Sequence, residues 1–329
     1  MSRATRPGRA SLERDYTPLV PVAVITIAFD PVLRLSDTSS VRYETILLAI
    51  VLLLGLALAA WISSRTRLAG TDELGVGLRI DDLVFISVGA VPGAIVGGRL
   101  GYVLDHLDFY RANPEAILDA AQGGLTLSLA VPLGILTGGI IARLLGAPVG
   151  RWLHVAALPV LFVLAAGKLA GVLGATGQGA ASDIIWATSY AGPGPWASLA
   201  AELPAHPAQV YETVLIVLAI VVLYALTRVP GLARENGAVL FLGLGLWAVA
   251  RILVGFTWRE DPTVGTLRVE QALALIVAIV AGLGLLERTR SSRREAPGSV
   301  MAGRRGIVSG SNRDPSLRRR RANNEVPPP

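Results

Sequence analysis

The chain reads as an all-α, polytopic membrane protein with seven transmembrane helices, and three observations predict this. Hydrophobic residues make up 52% of its 329 residues and charged residues only 16%. Mean hydropathy is +0.56, a composition outside the range of ordinary soluble domains. Seven stretches approach the ~20 apolar residues needed to cross a bilayer, and arginines collect in alternate connections between them.

Residues 1–24 contain Arg3, Arg6, Arg9, Arg14 and three prolines without apolar periodicity, and predict a disordered tail. The segment 17–35 is broken by Pro18, Pro21, Asp30, Pro31 and Arg34, so it has no clean core for a cleavable signal. Span one, 43–62, holds no charge after Glu44. Span two, 83–104, carries Arg99. The connection 105–123 is amphipathic and reads as a re-entrant or interfacial segment. Gln122-Gly123-Gly124 leads into span three, 124–145, where glycine lets backbone approach a ligand closely. Span four, 152–175, holds Lys168, the only lysine among the 30 Lys and Arg residues.

The loop 176–208 is rich in Gly, Pro and Trp, including Trp186 and Trp196, and predicts a folded lid at the membrane surface. It ends in His206-Pro207-Ala208-Gln209-Val210-Tyr211-Glu212, which enters span five, 210–227. His206, Gln209 and Glu212 recur every third residue, a spacing that lets two or three of them share a helix face. Span six, 238–258, carries Arg251, and span seven is 267–286. Residues 287–329 form a basic tail, expected to be disordered and suited to anionic lipid at a membrane surface. The charge of +6 gives no reason to invoke nucleic acid, since the basic residues flank membrane spans.

Arginine placement orients the bundle. The connections after spans one, three and five hold Arg65, Arg67, Arg79, Arg143, Arg151, Arg228 and Arg234. Residues 105–123 hold only Arg111, and 176–208 hold no Lys or Arg. This predicts a cytoplasmic C-terminus and an external N-terminus, although the arginines of residues 1–14 run against the trend. Arg99, Lys168 and Arg251 then fall in one layer, roughly 8–11 Å below the outer boundary at ~1.5 Å per residue.

Cations at membrane depth cost several kcal/mol unless paired or wetted, and they mark binding sites or charge relays. Three in one layer suit an anionic group such as a phosphate, which guanidinium binds bidentately. Glu212 reads equally as a structural ion-pair partner of Arg251 or Lys168 and as a catalytic acid. With no cysteine and three widely spaced histidines, the chain shows no thiol chemistry of its own and no metal-ligand spacing.

Several motifs resemble the prolipoprotein diacylglyceryl transferase family. They are Gly97-Gly98-Arg99-Leu100-Gly101-Tyr102-Val103-Leu104, Gln122-Gly123-Gly124-Leu125 and His206-Pro-Ala-Gln-Val-Tyr-Glu212. Gly237–Phe241, Arg251, Gly265–Gln271, Phe29-Asp30-Pro31 and Val41-Arg42-Tyr43 add to the likeness, in order, over residues 25–286. The resemblance implies a multi-pass protein of the bacterial plasma membrane. Its activity would move diacylglycerol from phosphatidylglycerol to the lipobox cysteine thiol of a prolipoprotein, releasing glycerol phosphate. It implies no metal or soluble cofactor.

Catalytic roles then fall to Lys168, Arg251, His206 and Glu212. Substrate contacts fall to Arg99, Tyr102, Gln122, Gly123, Gly124, Gln178, Gln209 and Tyr211. The chain departs from the family pattern at specific places. QGGxSxHGG becomes QGGLTLSLA, with Ser128 in place of the histidine. GRxGNFxNxE runs from Gly167 to Thr176, with Lys168 for the arginine, Gly171 and Gly174 for the asparagines, and Thr176 for the glutamate. A glutamate four residues after Arg251 is replaced by Gly255. These losses motivate an alternative, a paralogue that binds or transports an anionic phospholipid without the transfer chemistry.

Overall fold

The computed structural model describes residues 24–36, 39–65, 79–119, 124–228 and 236–295. Its helices are α1 (Tyr43–Arg65), α2 (Ile80–Asp105), α3 (Leu107–Ala112), α4 (Leu127–Leu144), α5 (Val149–Ala170), α6 (Ala208–Leu226), α7 (Ala238–Gly255) and α8 (Val269–Glu295). All but the short α3 are long and apolar enough to cross a membrane, seven in number, as the sequence predicts. Helices satisfy their backbone polar groups within one segment, which a lipid environment demands.

α7 is the central element: 61% of its apolar stretch is buried inside the protein, against 17% for α1. Trp247 and Leu240 of α7, Leu161 of α5 and Ile216 of α6 form the innermost packing. Leu52, Leu53 and Leu54 of α1, Val217 and Val221 of α6, and Ile279 and Val280 of α8 are exposed. In lipid such a surface carries no penalty, whereas in water it would be an aggregation hazard.

Close helix approach is concentrated between α2 and α4. Gly93, Gly97 and Gly101 repeat at four-residue intervals along one side of α2. A Cβ on Gly97 would lie 2.8 Å from the carbonyl carbon of Leu129, and one on Gly93 or Gly101 would overlap the hydroxyl of Thr137 or Thr126. Small residues of this kind let membrane helices approach at backbone distance, where dispersion and polar contacts replace the absent hydrophobic drive.

Outside the bundle, β1 (Ile25–Ala28) pairs in parallel with β4 (Thr188–Ala191), placing Ile25 opposite Thr188. β2 (Val32–Arg34) and β3 (Ser40–Arg42) form an antiparallel hairpin leading into α1. The connection after α2 folds as α3 followed by a 3-10 turn, Pro114–Ile117. α5 gives way at Gly171 to another 3-10 turn, Gly171–Leu173, short of residue 175. Thr176 N–H then closes onto the Gly171 carbonyl at 2.9 Å, with Ala175 at φ +59°. α8 continues to Glu295, past the end of the apolar run at residue 286, so residues 287–295 are helical where the composition predicts disorder. The rest of both tails, residues 1–23 and 296–329, lies outside the described residues.

Candidate active site

Lys168, near the end of α5, and Arg251, near the end of α7, meet on one carboxylate. Glu212, in the first turns of α6, accepts Lys168 Nζ on Oε2 and Arg251 Nη1 on Oε1, each at 2.9 Å. Its side chain is 1% exposed. Two of the three intramembrane cations thus share a level because they share a partner, and the ion-pair reading of Glu212 holds.

Arg251 is engaged on its other edges as well. Its Nε donates to Ser128 Oγ at 3.1 Å, and its Nη2 pairs with Glu270 Oε2 from the first turn of α8. Ser128 Oγ in turn donates to the same Glu270 oxygen at 3.3 Å. The guanidinium carbon lies 4.9 Å from the Trp258 ring centre and 5.9 Å from that of Trp247, cation–π distances. Burying such charges is tolerable because every one of them is paired; isolated, each would carry its full desolvation cost.

This array opens on a cavity of about 140 Å³. Lys168, Glu212, Arg251, Glu270, Gln178 and Gln209 line it. So do Trp258, Arg268, Asp105 and Glu260. The walls therefore set the cations Lys168, Arg251 and Arg268 against the carboxylates Asp105, Glu212, Glu260 and Glu270. Arg268 is fixed by backbone carbonyls of Gly255 (2.7 Å), Trp258 (2.8 Å) and Glu260. No group of three or more His, Asp or Glu able to hold a metal occurs among the described residues.

Gln178 and Gln209 are buried, and each presents its amide differently. Gln178 Nε2 donates to the carbonyls of Thr188 (3.1 Å) and Leu203 (3.2 Å), closing the loop 176–208 on itself. Gln209 Nε2 donates to Tyr190 Oη at 3.0 Å. Burial pushes the Tyr190 phenol up to about 12, so it stays neutral at physiological pH. The amide oxygens of both glutamines are buried, with no hydrogen-bond partner among the described residues.

The remaining sequence-derived residues fall into two other groups. Arg99 donates through Nε to the Ile117 carbonyl (2.7 Å) and through Nη2 to those of Ala116 (2.7 Å) and Asp119 (2.9 Å). It does not line the cavity, so the three-cation layer resolves into a pair and a separate anchor for the chain that follows α3. Tyr102 stacks on His106 with ring centres 4.2 Å apart, and a Cβ on Gly124 would touch the Tyr102 ring at 3.4 Å. Gln122 and Gly123 lie outside the described residues. On the lid side, His206 Nδ1 sits 3.4 Å from Tyr211 Oη, which accepts Trp186 Nε1 at 2.6 Å. Neither His206 nor Tyr211 lines the cavity. Of the three residues at threefold spacing, Gln209 and Glu212 do, because α6 begins at Ala208 and leaves His206 in the preceding turn.

Two places where the chain departs from the family pattern receive a carboxylate from elsewhere. Thr176 Oγ1 donates to Glu44 Oε2 at 2.7 Å, and a Cβ on Gly174 would overlap that carboxylate. At Gly255 an added Cβ would lie 2.5 Å from Gln271 Cγ, while the neighbouring Glu270 reaches Arg251. Glu270 was not singled out from sequence; its one visible signal is an acid at the first turn of an apolar run.

Seven spans around a paired charge array define an integral membrane protein with a polar site within the bundle. The chain belongs to the prolipoprotein diacylglyceryl transferase family, whose model matches residues 36–287. It is similar to proteins named phosphatidylglycerol–prolipoprotein diacylglyceryl transferase. The relative from Beijerinckia indica is 29% identical, over 84% of this chain and 99% of its own length. The one from Solidesulfovibrio magneticus is 31% identical, over 79% and 94%. The one from Nitrobacter hamburgensis is 28% identical, over 78% and 87%.

Proposed function

We propose that the protein transfers the diacylglyceryl group of phosphatidylglycerol to the lipobox cysteine thiol of a prolipoprotein, in a bacterial plasma membrane. The observation that carries this reading is the Lys168–Glu212–Arg251 array opening on the cavity, in a chain of this family. An anionic phospholipid presents its phosphodiester to that array. Lys168 and Arg251 neutralise the negative charge that grows on the phosphate oxygen as its bond to the diacylglyceryl carbon breaks. Glu212 is a positioning residue: engaged by both cations, it holds their side chains at one spacing before substrate arrives. The unpartnered amide oxygens of Gln178 and Gln209 suit the hydroxyl groups of a glycerol headgroup, which are hydrogen-bond donors. The N-terminus lies outside and the C-terminus in the cytoplasm, so the lid faces secreted substrates.

The test is mass spectrometry of a lipobox peptide incubated with purified protein in phosphatidylglycerol vesicles. The expected result is a diacylglyceryl mass gain that vanishes when the peptide cysteine is serine. Arg251→Ala should lose on the order of 100-fold or more in rate, and Lys168→Arg should retain most of it. No mass gain from folded, lipid-loaded protein overturns the reading. The alternative, lipid binding without transfer, rests on the substituted family positions alone, and a diacylglyceryl mass gain in this assay excludes it.

A further inference from the structure

We propose that Glu270 is the base that takes the proton from the substrate thiol, a catalytic residue delivered by α8; this rests on the transferase reading. The reacting carbon is one bond away from a phosphate oxygen, so a phosphate seated on Arg251 brings the attacking thiol close to that guanidinium. A base must come within hydrogen-bond reach of the proton it removes. Among the cavity carboxylates, Glu212 and Glu270 touch Arg251. Glu212 has both oxygens engaged by cations and is 1% exposed. Glu270 is 15% exposed and uses a single oxygen, Oε2, for both Arg251 and Ser128. Its Oε1 has no partner among the described residues. Asp105 lies beside His106 at the end of α2, and Glu260 is on the exposed α7–α8 turn.

The arriving phosphodiester adds negative charge beside Arg251, which favours movement of the thiol proton onto the neighbouring Glu270. In the step itself the thiol proton passes to Glu270 Oε1. The sulfur electron pair forms the S–C bond to the diacylglyceryl carbon. The C–O bond breaks, and its pair leaves on the phosphate of glycerol phosphate beside Arg251 and Lys168. Glu270 then yields the proton to that phosphate or to water. The site also echoes the second relocation: as Glu44 of α1 occupies the space at Gly174 and Thr176, Glu270 of α8 supplies a carboxylate to Arg251 where Gly255 of α7 cannot.

The experiment measures thioether formation and phosphatidylglycerol binding for wild type, Glu270→Gln and Glu270→Asp between pH 6.5 and 9.5 in the same vesicles. Glu270→Gln should bind lipid like wild type but transfer roughly 100- to 10,000-fold more slowly at neutral pH. That deficit should narrow toward high pH, where a thiol of pKa about 8.5 ionises without help, and Glu270→Asp should restore part of the rate. A purely structural carboxylate would not give this pH-dependent recovery. A near-wild-type rate in Glu270→Gln, or loss of lipid binding together with rate, overturns the assignment. Wild-type protein that binds lipid but forms no thioether removes the transferase reading, and the assignment with it.

Discussion

Glu212 shows how one residue converts a liability into a site. Two cations held within a bundle would repel each other and pay for their lost hydration, yet a carboxylate accepting both makes the arrangement tolerable. Removing that carboxylate while keeping its shape leaves Lys168 and Arg251 facing each other. Glu212→Gln should therefore destabilise the protein by roughly 3–5 kcal/mol, read as a lowered thermal midpoint in detergent. Anionic lipid should recover part of the loss, because its phosphate takes over the missing charge; neutral lipid should not. Unchanged stability would mean that the array does not carry the packing of α5, α6 and α7. Lys168, Arg251 and Glu212 were legible in the sequence because a charge inside an apolar run has few reasons to be there. Glu270 was not, since it sits at the edge of a run, where acids are common, and its partner is chosen by how α8 packs on α7.

The elements divide into those that hold the site and those that cover it. α5, α6, α7 and α8 deliver Lys168, Glu212, Arg251 and Glu270, and α4 adds Ser128. The α2–α4 seam keeps α4 in reach through backbone-distance contact at Gly93, Gly97 and Gly101. Gly97→Leu forces the helices apart and should cost about 1–3 kcal/mol, with a loss of activity that follows the displacement of Ser128. Thermal unfolding in detergent checks the first part and the vesicle assay the second. Arg99 belongs to this level too. Its contacts with carbonyls 116–119 depend on the chain folding back after α2, which spacing along the sequence does not reveal. The four short strands were missed for a related reason: segments of three or four residues carry too little periodicity, and β1 finds β4 more than 150 residues away.

As a whole, the molecule presents an apolar belt to lipid and gathers Lys168, Glu212, Arg251 and Glu270 at one end of the bundle. The proposed orientation can be checked directly because the chain has no cysteine of its own. Leu199→Cys, in the lid, should react with a membrane-impermeant maleimide in intact cells, whereas Ser64→Cys, at the end of α1, should react only after lysis. The reverse pattern would invert the bundle and place the cavity on the cytoplasmic side. The number of spans and the need to partner Lys168 and Arg251 followed from the chain alone, because a bilayer admits only long apolar helices and penalises bare charge. Which groups met, and which did not, followed from helix packing: Arg99 went to backbone carbonyls while Glu270 arrived at Arg251. Side chains far apart in sequence find each other through helix rotation and crossing, which hydropathy does not encode.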